Sequence, residues 1–265
     1  MNHNWRVIID ESLPGIENMA RDAALLQIAE NNSQPTTVIR FYRWMIPTIS
    51  LGNKQDAAKS ADLEFCRDHG IDIVRRPTGG GAVLHHHELT YSIISNDREY
   101  FPNQTVIETY LLIAQALKKG LDLLGLPVQI ATPEETNQQG RGNYIYNPSP
   151  CFATPSKYEI LVKGKKIIGS AQKRLKRAFL QHGSIPYGYD WELQGGALKA
   201  DPADLKKKMT SIGEHLSSQP RFKELVETFL QGFSDVFNFQ FNPDSLSEEE
   251  LKISKDLMKE FKVNY

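Results

Sequence analysis

Cysteines and long apolar runs are scarce in this sequence. Its 265 residues include two cysteines, Cys66 and Cys151, which is too few for the disulfide framework of a small secreted fold. No apolar run approaches the roughly 18 residues that a membrane-spanning helix needs, and residues 1–10 lack the basic and apolar segments of a secretory signal. We therefore expect a cytoplasmic protein without a membrane-spanning helix, in which both cysteines remain thiols.

An excess of charge of one sign is also missing. The 31 basic and 32 acidic residues leave a net charge of −1, so nothing global attracts nucleic acid or a membrane surface. The 18 glycines and 14 prolines are fewer than low-complexity chains contain, and the hydrophobic fraction of 40% is ordinary for a globular protein. These absences predict a folded protein whose partners are neither nucleic acid nor membrane.

The spacing of apolar residues predicts a mixture of helices and strands. Helices are predicted over residues 16–31, 57–69 and 106–124, and strands over 36–44, 71–74, 89–95 and 179–185. Residues 157–162 and 166–171 flank Gly164 as the arms of a hairpin. From about residue 190 the pattern becomes helical, over 202–214, 221–233 and 246–261, with a capping box from Ser245 to Glu248. We predict an α/β fold with a mixed sheet flanked by helices and a C-terminal helical region.

The densest motif is the run from Arg75 to His85, which contains Gly79, Gly80 and Gly81. Three consecutive glycines remove every Cβ from one stretch of backbone, so a ligand can lie against main-chain N–H groups. A hairpin turn or a glycine bulge would use the same residues. The run matches neither the Walker A nor the Rossmann pattern.

Three histidines, His85, His86 and His87, follow the glycine run. On a strand, His85 and His87 would point to one face and could bind a metal ion with a ligand from elsewhere. The alternative is that one imidazole forms hydrogen bonds within a site while its neighbours are solvated. Because cysteine or carboxylate ligands at supporting spacing are absent, the second interpretation is favoured and no metal is expected.

The two thiols and one basic run have both functional and structural interpretations. Cys66 lies in a helical pattern where a small apolar residue would serve equally well, so we assign it to packing. Cys151 lies in a segment rich in Asn, Gln, Gly and Pro, and Lys163, Lys165 and Lys166 follow it in the sequence. A nearby lysine ammonium would increase the fraction of this cysteine that is ionised to the thiolate. The alternative is that Cys151 is inert, as lone loop cysteines often are. The run Lys173–Arg177 is either a surface for an acidic partner or a solvated face.

Several motifs together resemble the lipoate-protein ligase A and octanoyltransferase superfamily. The glycine run from Arg75 to His85, followed by residues 88–92, resembles its signature. Residues 40–44 and 47–52 resemble the early strand and the loop after it. Residues 166–172 resemble the lysine motif, and residues 181–184 complete the set in order. The resemblance implies a biotin and lipoate protein ligase-like fold, which we predict as one catalytic domain over residues 1–265.

The segment around Cys151 is similar to the branch of octanoyltransferases that load the glycine cleavage H protein. That branch implies that Cys151 takes an octanoyl group from octanoyl-acyl carrier protein as a thioester, and that a lysine of a lipoyl domain then attacks it. The resemblance implies that Lys166 binds the acyl carbonyl and assists proton transfer. It implies substrate-binding roles for Arg76, Thr78, Gly79, Gly80, Gly81, His85, Gly169, Ser170 and Ala171.

No cofactor is expected, because a thioester donor is already activated. Three alternatives remain open at this point. One is an amidotransferase that takes octanoate from a loaded H protein, another is an ATP-dependent lipoate ligase, and the third is a non-catalytic acyl- or nucleotide-binding module.

Overall fold

The computed structural model describes residues 5–102, 105–131 and 158–264. Over these ranges, eight strands form one sheet and three strands form a second. The order in the large sheet is β11 (Phe241–Asp244), β1 (Trp5–Leu13), β2 (Thr37–Trp44), β6 (Glu88–Ser95), β10 (Phe179–Pro186), β9 (Lys165–Arg174), β8 (Ile160–Val162) and β7 (Val128–Ile130). The small sheet has the order β4 (Asp72–Arg75), β3 (Thr48–Leu51) and β5 (Val83–His85).

Helices cover both faces of the large sheet. Helices α1 (Gly15–Asn31) and α8 (Glu248–Phe261) cover one face, and α4 (Val106–Leu123) and α7 (Phe222–Phe237) cover the other. Helices α2 (Ala57–Ser60), α3 (Leu63–Asp68) and α5 (Trp191–Leu198) pack on the small sheet, and α6 (Pro202–Lys208) follows α5. Strand β1 pairs in parallel with β2 and β11, whereas β2, β6, β10 and β9 pair antiparallel. The predicted α/β class with a mixed sheet flanked by helices is confirmed.

The alternation of side chains along β2 explains why both faces are covered. Ile39 and Phe41 point to one face, where they share a core with α4 and α7. Val38 and Tyr42 point to the other face, towards α1 and α8. Successive side chains of a strand alternate between faces, so Arg40 is buried on the α1 face. That face holds the site described below.

Three local predictions are corrected by hydrogen bonds that the apolar pattern does not reveal. The helix predicted over 57–69 breaks into α2 and α3, because Asp62 leaves the helix and its carboxylate accepts from the Phe65 N–H. The capping box lies at Ser247 and Glu250 rather than at Ser245 and Glu248, since the same spacing occurs twice in the sequence. Strands β1, β7 and β11 lie in segments for which no element was predicted, and β3 lies within residues 47–52, which were expected to form a loop.

The helix predicted over 202–214 ends at Lys208, because Met209 is extended and bridges to Lys166, and a 3₁₀ turn follows at Ile212–Glu214. The other predicted helices and strands are present within a few residues of their bounds. The hairpin around Gly164 forms between β8 and β9, with φ of 50° at Lys163 and 77° at Gly164. Beyond residue 190 the described chain is mainly helical: α7 packs against α4, α8 packs against α1, and β11 between them joins the sheet. A single catalytic domain over the whole chain stays a prediction. Within the described ranges, no helix is long and apolar enough to cross a membrane.

Candidate active site

A narrow, mostly apolar cavity lies on the α1 face of the large sheet. It crosses four adjacent strands: Gly169, Ser170 and Ala171 come from β9, His182 to Ser184 from β10, Thr90 from β6, and Tyr42 and Trp44 from β2. Met19 of α1 closes the side next to β2, and the small sheet contributes Ser50, Val83 and His85. The β9 residues are partly exposed, whereas Met19 and Tyr42 are buried. The cavity therefore opens near β9 and ends near α1.

Arg76 holds the glycine run in place beside this cavity. Its guanidinium donates hydrogen bonds to the carbonyl oxygens of Gly79 at 2.6 Å, Gly81 at 2.7 Å and Ser50 at 2.7 Å. The run connects β4 to β5, which both pair with β3 and not with each other, so it is not a hairpin turn between paired strands. Arg76 lines the cavity, but none of the three glycines is among the described residues that do.

A buried carboxylate, Asp22 of α1, organises the inner end of the cavity. It accepts hydrogen bonds from Arg40 at 2.8 Å and from the hydroxyls of Tyr42 and Ser92. It also pairs with His182 Nδ1 at 3.1 Å. Burial acts to raise the pKa of Asp22, but the hydrogen bond from His182 and the charge of Arg40 together hold it below its usual value. Asp22 is therefore ionised at neutral pH.

His182 connects this carboxylate to the glycine run. Burial lowers the pKa of its imidazole, so the ring is neutral near pH 7. Because an ionised Asp22 can only accept, the proton of the neutral ring lies on Nδ1, and Nε2 accepts from the Thr78 hydroxyl at 2.7 Å. Thr78 in turn accepts from Arg76 Nε at 3.1 Å. A hydrogen-bonded chain thus runs from α1 to the glycine run.

His85 lines the opposite wall. Its ring stacks on Trp44, with 4.0 Å between the ring centroids. Nδ1 lies 2.8 Å from Glu88 Oε1 and Nε2 lies 2.7 Å from Ser50 Oγ, so both nitrogens have hydrogen-bond partners. The predicted hydrogen-bonded role within a site is confirmed for this residue.

The alternative metal pair at His85 and His87 does not form. Strand β5 ends at His85, and the exposed His87 ring stacks on the half-buried His86. Over the part of the chain that the structure describes, no group of three or more His, Cys, Asp or Glu side chains could hold a metal ion.

Lys166 lies on β9, three residues before the cavity-lining Gly169. Its ammonium pairs with Glu159 at 2.6 Å, and both side chains are buried. The Ala131 N–H donates to the Glu159 carbonyl oxygen at 2.8 Å. Cys151 lies outside the described residues.

Two further predictions from the sequence concern Cys66 and the basic run Lys173–Arg177. Cys66 is fully buried in the core of the small sheet, which confirms its assignment to packing, and burial raises the pKa of its thiol to about 11. The basic run lies at the turn from β9 to β10, where Arg174 folds inwards against Phe179 and donates to the Thr105 carbonyl at 3.0 Å. Leu175, Lys176 and Arg177 at its end are exposed.

Five of the residues predicted to bind substrate lie together in the cavity lining. The structure brings together Arg76, His85, Gly169, Ser170 and Ala171 in one lining, with Thr78 one hydrogen bond away. Asp22, Arg40, Ser50, Glu88 and Glu159 were not predicted as site residues from the sequence. The position of Asp22, a charged residue within the apolar face of α1, was the one sequence feature that could have indicated a buried polar network.

Comparison with known proteins shows the family to which the chain is similar. Residues 14–234 match the model of the lipoyl protein ligase A/B catalytic domain. The chain is 40% identical over 264 residues to octanoyltransferase LipM of Carboxydothermus hydrogenoformans, covering 97% of this chain and 95% of that protein. It is 39% identical to octanoyltransferase LipM of Geobacillus kaustophilus, covering 96% and 93%.

Solved structures show the same fold at lower identity. A lipoate-protein ligase A bound with ATP superposes with a TM-score of 0.78 at 23% identity, covering 97% of this chain and 94% of that one. A bi-partite lipoate protein ligase from Thermoplasma acidophilum gives 0.77 at 21% identity, covering 97% and 92%. These likenesses establish the predicted lipoate ligase-like fold.

The match to the family model spans most of the chain, and the octanoyltransferase relatives align over nearly their full length. The chain belongs to the lipoyl protein ligase A/B catalytic domain family, within its octanoyltransferases, and it is an acyltransferase.

Proposed function

We propose that this enzyme transfers an octanoyl group from octanoyl-acyl carrier protein to a lysine of a lipoyl domain, that of the glycine cleavage H protein, through a thioester on Cys151. The observation that carries the proposal is the cavity across four strands, with Lys166 near its open end. The octanoyltransferase relatives support the same acyl group. The proposal places the reaction in the cytoplasm, where a reducing environment keeps Cys151 a thiol.

The cavity suits a narrow apolar chain with one polar end. Neighbouring strands lie about 4.8 Å apart, so three spacings from β9 to β2 correspond to roughly 14 Å. The acyl carbonyl would lie near β9 and Lys166, and the tail would extend towards Met19 and Tyr42. Each buried methylene contributes about 0.8 kcal/mol. The length of the slot therefore selects the length of the chain.

The chemistry follows from thioester reactivity. The Cys151 thiolate attacks the carbonyl of the donor thioester and forms a new carbon–sulfur bond. The carbon–sulfur bond to the carrier breaks, and the carrier leaves as its thiolate, which takes a proton from water. The amine of the acceptor lysine then attacks the acyl-enzyme, releases the Cys151 thiolate and forms an amide. The first exchange is nearly balanced and the second is downhill, so no nucleotide is needed.

The acceptor amine must lose a proton before it can attack. A lysine with a pKa of about 10.4 is neutral in only about one molecule in 2,500 at pH 7. We assign Lys166 to the acyl carbonyl, where its ammonium stabilises the developing oxyanion. The carboxylate of Glu159, 2.6 Å from Lys166, holds that ammonium in place.

The remaining predicted residues divide into two groups. His85, Gly169, Ser170 and Ala171 would contact the acyl group directly, as members of the lining. Arg76 and Thr78 would fix the run that contains Gly79, Gly80 and Gly81, whose backbone we assign to the donor end of the substrate.

Intact-mass measurement tests the thioester route. The enzyme is incubated with octanoyl-acyl carrier protein, with and without H protein, in the absence of nucleotide. We expect a gain of one octanoyl group, its loss when H protein is added, and no gain in Cys151→Ser. The matched control is Cys66→Ala, which should keep the acyl-enzyme because that thiol is buried with a raised pKa.

Three other results would each contradict part of this function. Full transfer by Cys151→Ser would rule out the thioester. Dependence on ATP would indicate a ligase for free octanoate or lipoate. Acylation by octanoyl-H protein alone would indicate the amidotransferase.

A further inference from the structure

Two lysine-rich segments that are distant in sequence meet beside Lys166. Lys163 and Lys165 lie at the turn between β8 and β9, directly before it. Lys206, Lys207 and Lys208 form the C-terminal end of α6. The next residue, Met209, forms a β-bridge with Lys166, and the following Thr210 N–H donates to the Lys166 carbonyl at 3.0 Å. We call these five residues, 163, 165 and 206–208, the entrance lysines.

The entrance lysines border the open side of the cavity. Leu205 on α6 and Met209, the extended residue directly after it, are buried and pack with Val83, which lines the cavity. Because these two side chains face inwards, the three lysines between them project outwards, and all three are exposed. The turn residue Lys163 is also exposed.

The positive charge of this surface is only partly compensated. Among the described residues, Lys207 pairs with Asp204 at 2.8 Å, and no ion pair involves the other four entrance lysines. Besides burial, the charges of Lys163 and Lys165 lower the pKa of the nearby His215. Described carboxylates near these lysines include Asp201 at the N-cap of α6, Asp204 in its first turn, Glu159, which pairs with Lys166, and Glu214, which accepts from the Thr210 hydroxyl.

A favourable helix dipole would explain lysines at the end of α6 without any partner. It does not explain Lys163 and Lys165, which lie on a strand turn that the β-bridge brings to the same place. Since the whole chain carries a net charge of −1, this concentration of cations at the entrance is a local feature.

We propose that the entrance lysines dock the acidic face of the carrier protein that delivers the acyl thioester. This inference rests on the proposed octanoyl transfer. The donor fits better than the acceptor, because the acceptor must bring a cationic lysine to this entrance and five lysines repel it. Electrostatic docking of this kind raises the association rate and weakens with salt.

The test compares one variant with two donors. Lys206→Glu/Lys208→Glu is assayed with octanoyl-acyl carrier protein and with a small octanoyl thioester that carries no protein. We expect the ratio of the KM for the carrier donor to the KM for the small donor to rise about tenfold, with kcat for the carrier donor retained. Added salt should raise the carrier KM of the wild type and change that of the variant much less.

A charge-matched control separates local from global effects. Lys252→Glu/Lys255→Glu changes the same number of exposed lysines on α8 and should keep the wild-type ratio. An unchanged ratio in the α6 variant, an equal change in the control, or a rise in the KM for H protein instead of the carrier would each overturn the docking surface. If the wild-type enzyme transfers an octanoyl group from neither donor, the result contradicts the proposed octanoyl transfer and not only the docking surface.

Discussion

At the residue scale, Asp22 has the largest structural role in the site. Its carboxylate accepts from Arg40, Tyr42, Ser92 and His182, and two of these four, Tyr42 and His182, line the cavity. An ionised group that is fully buried is stable only when its hydrogen bonds and counter-charge are complete. Asp22 therefore fixes the shape of the inner end of the cavity through the residues that it orients.

Asp22→Asn should destabilise the protein by about 3 kcal/mol or more, because it leaves the buried Arg40 with one carboxylate partner, Asp10, in place of two. The free energy of unfolding is measured by urea denaturation. Asp204→Asn, which removes half of an exposed ion pair with Lys207, is the control and should leave stability unchanged. Equal stability of Asp22→Asn and the wild type would contradict the role of the buried pair.

His182 makes stability depend on pH. Burial lowers its pKa below the usual value of 6.5, so between the two values the unfolded chain binds a proton that the native state does not. Stability is then greatest above pH 6.5 and falls as the pH decreases below it. His182→Gln should reduce this slope, as measured by urea denaturation across the range from neutral to mildly acidic pH.

The exposed His69 supplies the matched variant for that experiment. His69→Gln should keep the wild-type slope. A His182→Gln protein with the same slope as the wild type would show that this histidine does not carry the pH dependence.

At the scale of elements, the pairing of β9 with β10 shapes the open end of the cavity. Gly183 of β10 lies opposite Ser170 of β9. A Cβ at Gly183 would lie 2.6 Å from the Gly169 carbonyl oxygen, 2.6 Å from the Tyr91 ring and 2.7 Å from Ser170 Oγ. Two of these neighbours, Gly169 and Ser170, also line the cavity, so the absence of a side chain at residue 183 lets the strands approach as they do.

Gly183→Ala should therefore lower stability by about 1–3 kcal/mol, the usual cost of overpacking, and should lower octanoyl transfer by displacing β9. Thermal denaturation and the transfer assay measure the two effects. Gly188→Ala is the comparison, because a Cβ there would meet one atom, His87 Cβ, at an ordinary 3.6 Å. Similar results for the two variants would mean that the close approach is not required.

At the scale of the whole molecule, the C-terminal helices complete cores that the earlier elements begin. The ring of Phe229 on α7 lies directly over Gly120 of α4, and both belong to the layer that covers one face of the sheet. On the other face α8 packs on α1. Because these contacts join distant parts of the sequence, we expect the chain to unfold as one unit.

Phe229→Ala should destabilise the protein by about 3–5 kcal/mol, since the ring is fully buried. The unfolding transitions followed by tryptophan fluorescence and by far-UV circular dichroism should shift together. Phe241→Ala, at an exposed position on β11, should have a much smaller effect. Two separate transitions, with only one of them shifted by Phe229→Ala, would instead indicate an independent C-terminal domain.

Features that depend on neighbours along the chain could be predicted from the sequence. Apolar periodicity predicted α1, α4 and the strands β2, β6 and β10. The family resemblance carried by the glycine run and the lysine motif implied binding roles for Arg76, His85 and Gly169, and these roles stay predictions. Where two local solutions were equally good, as for the capping box at Ser245 or Ser247, the pattern could not choose between them. Helix α3 likewise began at a cap that apolar spacing does not detect.

Which distant residues share a buried environment depends on how the helices and strands pack in three dimensions. Asp22, Arg40, Ser92 and His182 come from four separate elements, and each is an ordinary polar residue until the sheet and α1 bring them together. The ion pair of Lys166 with Glu159 and the meeting of residues 163–165 with 206–208 depend in the same way on strand pairing. Periodicity reports which face of an element is apolar, whereas hydrogen bonds and charges act through space, so their partners are fixed when the elements pack.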